Sequence, residues 1–280
     1  MRTYHIRQFA FRFFGHSIFL AFGIVYMYPF LWMIASSLKT KSEFFKNGLS
    51  LFPQQARWNN YAEAWASAKF NIYFSNTLFV SIMSTALIIL ITSMAGYVLA
   101  KKKFPGKSIL VGIMLATLFL PRGYTIIPIF EIVKTFNLLN TLWAVIIVNV
   151  GTSVVFNTFL FAGYFVTLPK ELEDSATLDG ANFPQVYLHI AVPFALPIIG
   201  TVMLFEFIDS WNSFFIPLVF TLGRPELRTL AVGMYAFVGE NSTDWTLLCA
   251  AATISLLPIL VLFLFLQRII VNGIAGAIKG

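Results

Sequence analysis

The chain has 280 residues, 58% of them hydrophobic and 11% charged. Soluble domains average about 45–50% apolar and about 25% charged residues, so this chain has too little polar surface to coat a water-soluble globule and too much apolar content for disorder. Its net charge of +7 sits on basic residues between apolar runs, a pattern of membrane orientation rather than a nucleic-acid-binding stripe.

The sequence predicts an all-α, polytopic membrane protein. A span needs about 20 mostly apolar residues, and six stretches qualify: Ser17–Ser37, Ile72–Ala100, Ser108–Phe130, Leu142–Thr167, Ile190–Leu222 and Trp245–Gln267. The first is preceded by Arg2, Arg7 and Arg12, but its apolar part is too long for the core of a cleaved signal peptide. Pro121 and Pro128 predict a kink or break near the end of the third, because proline frees backbone groups that neighbouring protein must satisfy. The fifth is overlong and holds Pro193, Pro197 and Pro217, so it should begin or end outside lipid.

The basic clusters give the orientation. Arg2, Arg7 and Arg12, then Lys101, Lys102, Lys103 and Lys107, then Lys170, and finally Arg268 and Lys279 are separated by even numbers of crossings. Density in short loops places them in the cytoplasm, with both termini inside. Outside lie 38–71, long enough for a short helix or two, the linker Glu131–Thr141, and the polar segment Gly223–Asp244. The triplet Asn241-Ser242-Thr243 matches a glycosylation pattern that arises readily by chance. With no internal repeat or flexible linker, 1–280 reads as one domain. Cys249 is the sole cysteine, so no intrachain disulfide forms, and His5, His16 and His189 have no metal-binding spacing.

The informative stretch is the cytoplasmic loop 168–192, with Pro193 closing it. Pro169 suits the first helical position. Glu171, Glu173 and Asp174 follow, where the positive end of the helix dipole favours carboxylates. Gly180 is placed to end that helix in a left-handed conformation. Phe183, Val186, Tyr187 and Ile190 then make one apolar stripe at helical spacing. Such a stripe, facing the cytosol, needs a partner groove or the chain's own span ends to cover it; a helix lying on the bilayer is the plainer reading.

This spacing resembles the EAA loop of ABC-importer permeases: Asp174-Ser175-Ala176, then Gly180, then Ile190, Val192 and Pro193. Asp replaces Glu, Ser the first Ala, and Val a Leu. Further along the chain, Ser37-Leu38-Lys39, Asn59-Asn60-Tyr61, Ala95-Gly96-Tyr97, Phe104-Pro105-Gly106-Lys107, Ile127-Pro128, Asn140-Thr141, Trp211-Asn212, Pro217-Leu218 and the tail from Gln267-Arg268 to Gly280 are similar to the MalG-type carbohydrate permeases. The resemblance implies a multi-pass subunit of a bacterial or archaeal plasma (inner) membrane. It would be half of a translocation path, paired with a second homologous permease, two cytoplasmic ATPase subunits and an external solute-binding protein that delivers a carbohydrate. On that reading Glu173, Asp174, Ser175, Ala176, Asp179, Gly180 and Ala181 couple to the ATPases. The tail with Gly276, Lys279 and Gly280 reaches toward them, and ATP is bound by those partners alone. The sugar and its length stay open.

The chain itself shows no catalytic set. Gly106-Lys107-Ser108 ends like a phosphate-binding loop, but Lys101 stands where that loop needs glycine. Glu206 and Asp209 lie three apart in the fifth stretch, before Trp211 and Asn212. Acidic residues in a span usually face protein or water, so these four either line the sugar path or act structurally, pairing across the permease interface or capping span ends. Arg122 either pairs with an acid such as Glu206 or reaches outward. Asn149 and Asn157 read as interhelical hydrogen-bonding groups. The rival function is an ion-coupled secondary transporter using Glu206 and Asp209, which has no need of a docking loop.

Overall fold

The computed structural model describes residues 2–121, 125–234 and 243–278, with side chains left aside for 2–13, 68 and 271–278. Arg122, Asn241, Ser242, Lys279 and Gly280 fall outside the described residues. Those residues are helical and joined by turns, with no strand among them. Four helices contain segments long and apolar enough to cross a membrane: Phe14–Ser37, Phe70–Lys101, Leu142–Val166 and Trp245–Ile270. They belong to α1 (Arg2–Ser37), α4 (Phe70–Lys101), α7 (Leu142–Val166) and α14 (Trp245–Ile278).

Two expected spans take another form. The third is not one helix: α5 (Lys107–Thr117) and α6 (Ile126–Thr135) are separate, and Pro121, which has no N–H to donate, lies between them. The fifth divides into short helical pieces from Phe183 to Phe194, α11 (Leu196–Asn212) and α12 (Phe215–Phe220). The first two are bent by 74° at Ala195, between Pro193 and Pro197.

The chain forms two compact units. One holds 1–70 and 234–256. In it the long connection after α1 contains α2 (Lys41–Lys46) and α3 (Asn59–Ala66). Thr40 caps α2 by accepting the Glu43 N–H at 3.1 Å. Asp244 sits before α14, where Thr246 Oγ1 and the Leu247 N–H donate to its carboxylate and Lys41 lies 2.7 Å away. Burial alone would raise the pKa of Asp244, but these donors outweigh it and hold it below the usual carboxylate value.

The second unit holds 71–233 and 257–280. Its core rests on α4 against α7. The buried side of α4 is rich in small residues, with Thr77, Ser81, Ser84, Thr85 and Thr92, and small residues let membrane helices approach closely. At Gly96 a methyl group would meet Phe161 Cβ at 2.6 Å and Thr158 O at 2.9 Å, so the crossing with α7 leaves no room for a side chain. Asn140, at φ 59°, ties the start of α7 to the end of α12: its N–H donates to Phe220 O and its Oδ1 accepts from the Gly223 N–H.

Candidate functional site

The segment after α7 is helix, glycine, helix. Helix α8 (Lys170–Leu178) starts one residue after Pro169, which caps it instead of occupying the expected first helical position. Glu171 and Glu173 occupy its first turn. At its end Gly180 has φ +90°, its N–H donates to Thr177 O, and the Ala181 N–H reaches back to Ala176 O at 2.9 Å. Both bonds of a left-handed helix stop are present. A methyl group at Gly180 would meet nothing within 4 Å, so glycine is favoured there by backbone conformation, not by crowding.

The chain restarts at once. Asn182 accepts the Gln185 N–H through its side chain, while the Gln185 side chain accepts the Asn182 N–H, at 3.0 and 2.8 Å. This reciprocal cap starts α9 (Phe183–Val186), which runs through a wide π turn (Tyr187–Ala191) into α10 (Val192–Phe194). The stop and the cap close the backbone on both sides of residues 179–181, so this corner has a defined shape.

The apolar stripe is not left facing water. Phe183 stacks on Tyr97 with ring centroids 5.0 Å apart, and Lys102 lies 4.3 Å above the Phe183 ring. Tyr187 lies beside Tyr97, and its hydroxyl is 2.8 Å from Ser93 Oγ. Val186 is buried. The stripe is covered by the C-terminal ends of α4 and α7, because Tyr97 and Phe165 project there as a ready apolar surface. Lys101 completes the attachment: it donates to Leu168 O at 2.9 Å and pairs with Glu173 at 3.0 Å, both side chains being mostly buried.

With one side fixed, the other is presented outward. Asp174, Ser175, Asp179 and Gly180 are exposed, Ala176 and Ala181 are partly so, and Leu178 is 89% exposed. Next to them is a recess of about 340 Å³ lined by Ala176, Asp179, Gly180, Ala181, Gln185 and His189, among others. Glu173 therefore differs from its neighbours: it holds the segment to the bundle, while Asp174 and Asp179 are free to face another molecule. The roles of Lys101, Lys102 and Tyr97 were missed in sequence, since the lysines read as orientation markers and nothing local to either segment pairs them.

Helix α11 places its polar residues differently. Asn157 donates to Glu206 Oε1 at 2.6 Å, and Asn149 donates to Ser210 Oγ at 3.2 Å, both across from α7. Trp211 is 3% exposed, between Phe207 and Phe74, so it does not offer a free ring to a path. Asp209 and Asn212 are exposed, and Asn212 donates to Ile208 O of its own helix. A separate cavity of about 770 Å³ lies where α5 and α6 part, beside α7, lined by residues including Thr117, Leu120, Thr125, Ile129, Thr152 and Phe156. Gly276 falls in the last turn of α14. Among the described residues no cluster of His, Cys, Asp or Glu could hold a metal ion.

Long apolar helices, an interhelical amide–carboxylate bond and an exposed, doubly capped corner define a helical integral membrane protein. The chain belongs to the family described as binding-protein-dependent transport system inner membrane component, whose sequence profile matches residues 92–276. It is 30% identical over 270 residues to the sulfoquinovosyl glycerol transport system permease protein SmoH of Agrobacterium fabrum, covering 96% of this chain and 93% of that one. It is also 30% identical to the diacetylchitobiose uptake system permease protein NgcG of Streptomyces coelicolor, with 93% and 86% covered. A chain of a bacterial ABC transporter involved in the import of the acidic polysaccharide alginate has the same fold, with a TM-score of 0.79 at 21% identity, over 92% of this chain and 96% of that chain. Family membership supports the ATP-driven permease over the ion-coupled rival and fits a multi-pass inner-membrane protein.

Proposed function

We propose that the chain is one permease of an ATP-driven importer for a sugar or oligosaccharide, a single domain over 1–280 with six crossings and both ends in the cytoplasm. A second homologous permease supplies the other half of the path, two cytoplasmic ATPases drive it, and an external binding protein delivers the carbohydrate. The relatives SmoH and NgcG, whose names record sulfoquinovosyl glycerol and diacetylchitobiose, support carbohydrate as the cargo class. The expected tail contact through Gly276, Lys279 and Gly280 belongs to the same reading.

One observation carries the coupling role of 168–192. Its Phe183–Tyr187 stripe is covered by Tyr97 and its neighbours, while Asp174, Ser175, Leu178 and Asp179 stay exposed beside a recess whose backbone is already capped. A surface helix meant for the bilayer would do the reverse and turn its apolar side outward. In this reading α8 fits a cleft on an ATPase, Glu173 transmits force to α4 through Lys101, and Gly180 permits the turn that fixes the angle between the two helices. Glu206, Asp209 and Asn212 remain the side chains proposed for the path, with Glu206 oriented by Asn157 and Trp211 serving as packing.

The test is reconstitution with and without the ATPase subunits. Uptake of labelled sugar should require them and ATP, and Asp174→Lys should release them on co-purification. Uptake that continues without any ATPase and collapses with an ionophore would overturn the proposal.

A further inference from the structure

The connection between α1 and α4 contains two buried charged side chains. Lys39 is fully buried and aims its ammonium at three backbone carbonyls, Asn47 O at 3.1 Å, Gly48 O at 3.4 Å and Ser50 O at 2.5 Å. Glu43 is also buried and accepts the Gln54 N–H at 2.6 Å. Burying a charge is costly unless hydrogen bonds satisfy it, and here both charges are used to fold residues 47–54 into one fixed shape.

That shape turns back along α1. Trp32 Nε1 donates to Gly48 O at 2.6 Å, and the Tyr28 hydroxyl donates to Leu49 O at 3.3 Å. Tyr28 precedes the end of α1 by nine residues, roughly 13 Å along the axis. The loop does not stand away from the helix end. It returns beside a helix whose apolar surface is almost wholly uncovered, with Tyr26, Met27 and Leu31 exposed around the attachment. On the loop itself Leu49 is 80% and Phe52 84% exposed, and Phe45 and Trp58 are exposed as well. The charges beside them are basic: Lys46 and Arg57 are exposed, whereas Lys41 is paired with Asp244 and Glu43 is buried.

We infer that residues 45–58 form an interfacial anchor, with Leu49 and Phe52 inserted at the headgroup–acyl boundary of the outer leaflet and Lys46 and Arg57 against lipid phosphates. The occupant is lipid because this surface continues the bare face of α1, and because aromatic and apolar side chains flanked by cations suit the membrane interface. Placement in the outer leaflet rests on the proposed topology. The immersion itself rests only on α1 being a span. Lys39 is a positioning residue that keeps the anchor at the depth of Tyr28.

The test uses the transporter complex in vesicles of phosphatidylethanolamine and phosphatidylglycerol, with Cys249→Ala as background. Spin labels are placed through Leu49→Cys, Phe52→Cys and, as an exposed polar reference on α3, Glu63→Cys. The ratio of oxygen to nickel-chelate collisions should be several-fold higher at 49 and 52 than at 63. Labels open to the chelate at both sites would show an aqueous loop, and labels shielded from both probes would show a protein partner; either overturns the anchor. Neutralising Lys46→Gln with Arg57→Gln should lower the ratio in phosphatidylglycerol vesicles, and an unchanged ratio would remove the phosphate contact. Sugar uptake and ATPase co-purification on the same samples report separately on the transport reading.

Discussion

The polar residues of α8 and those of α11 have opposite surroundings. On α11 the central carboxylate, Glu206, receives an amide hydrogen from Asn157 of α7, and Ser210 receives one from Asn149. On α8 the carboxylates of Asp174 and Asp179 are exposed, and only Glu173 turns inward to Lys101. Polar groups in the interior join one helix to another, whereas Asp174 and Asp179 are exposed and Asp174 pairs with Lys170 of its own helix. A carboxylate with a structural partner is explained by its fold. One presented on a fixed, capped corner beside a recess is what the proposed docking of an ATPase would use. Glu173 stands between the two cases, on α8 by sequence and joined to α4 by contact.

The largest effect on stability should come from that junction. Lys101→Met strands Glu173 in a mostly buried place, and breaking one partner of such a pair costs about 3–5 kcal/mol. The lower end applies here, because each side chain keeps some exposure. Melting of the purified protein in detergent measures it, and the double variant with Glu173→Met should recover most of the loss. A small change for Lys101→Met alone would mean that α8 is held by its ATPase rather than by α4. Next comes Asn157→Ala, which removes the donor to Glu206. An unsatisfied buried polar group costs about 1–3 kcal/mol, and because Glu206 is only partly buried the melting shift should fall at the lower end. If Asn157→Ala leaves melting unchanged while uptake falls, Glu206 belongs to the path more than to the packing, and the contrast between the two helices weakens.

Much of the docking segment was legible beforehand because its signals are local. The left-handed stop at Gly180 and the carboxylates of the first turn lie within a few residues of what they act on. Cover for the Phe183–Tyr187 stripe was not legible in the same way. The sequence requires a partner groove or the chain's own span ends as cover, and that the span ends supply it depends on Tyr97 and Phe165 arriving from distant helices. The proline-marked break of the fifth stretch was readable too, since Pro193 and Pro197 flank the bend. In the third stretch Pro121 and Pro128 mark a break, and the backbone places it between the end of α5 at Thr117 and the start of α6 at Ile126. On α11 the acidic residues were visible, but which of them had a partner depended on the register of α7, and that is a tertiary fact.

Gly180→Ala tests the corner from the backbone side. Because a methyl group there meets nothing within 4 Å, its effect is confined to the left-handed conformation, about 1–2 kcal/mol. Gly180→Asn should cost less, since asparagine visits that region more readily. If alanine proved harmless to melting but abolished ATPase binding, the recess itself, and not the turn, would be the recognised feature.

The smallest stability effect should accompany the largest functional one. Asp174→Lys and Leu178→Ser change side chains that are exposed, and surface substitutions of this kind stay within about 0.5 kcal/mol. Asp174 lies 3.7 Å from Lys170, one turn away and also exposed, a pair worth at most about 0.5 kcal/mol. Both variants should therefore melt like the parent protein yet fail to retain the ATPases on co-purification. Glu206→Gln should behave in the reverse sense, keeping the ATPases, because Asn157, which donates to Glu206, lies inside the bundle. Two variants of similar chemistry would then separate cleanly, one losing its partner protein without losing its fold. Should Asp174→Lys instead unfold the chain, its carboxylate would have a structural role comparable to that of Glu206, and exposure at the Gly180 corner would no longer point to a docking surface.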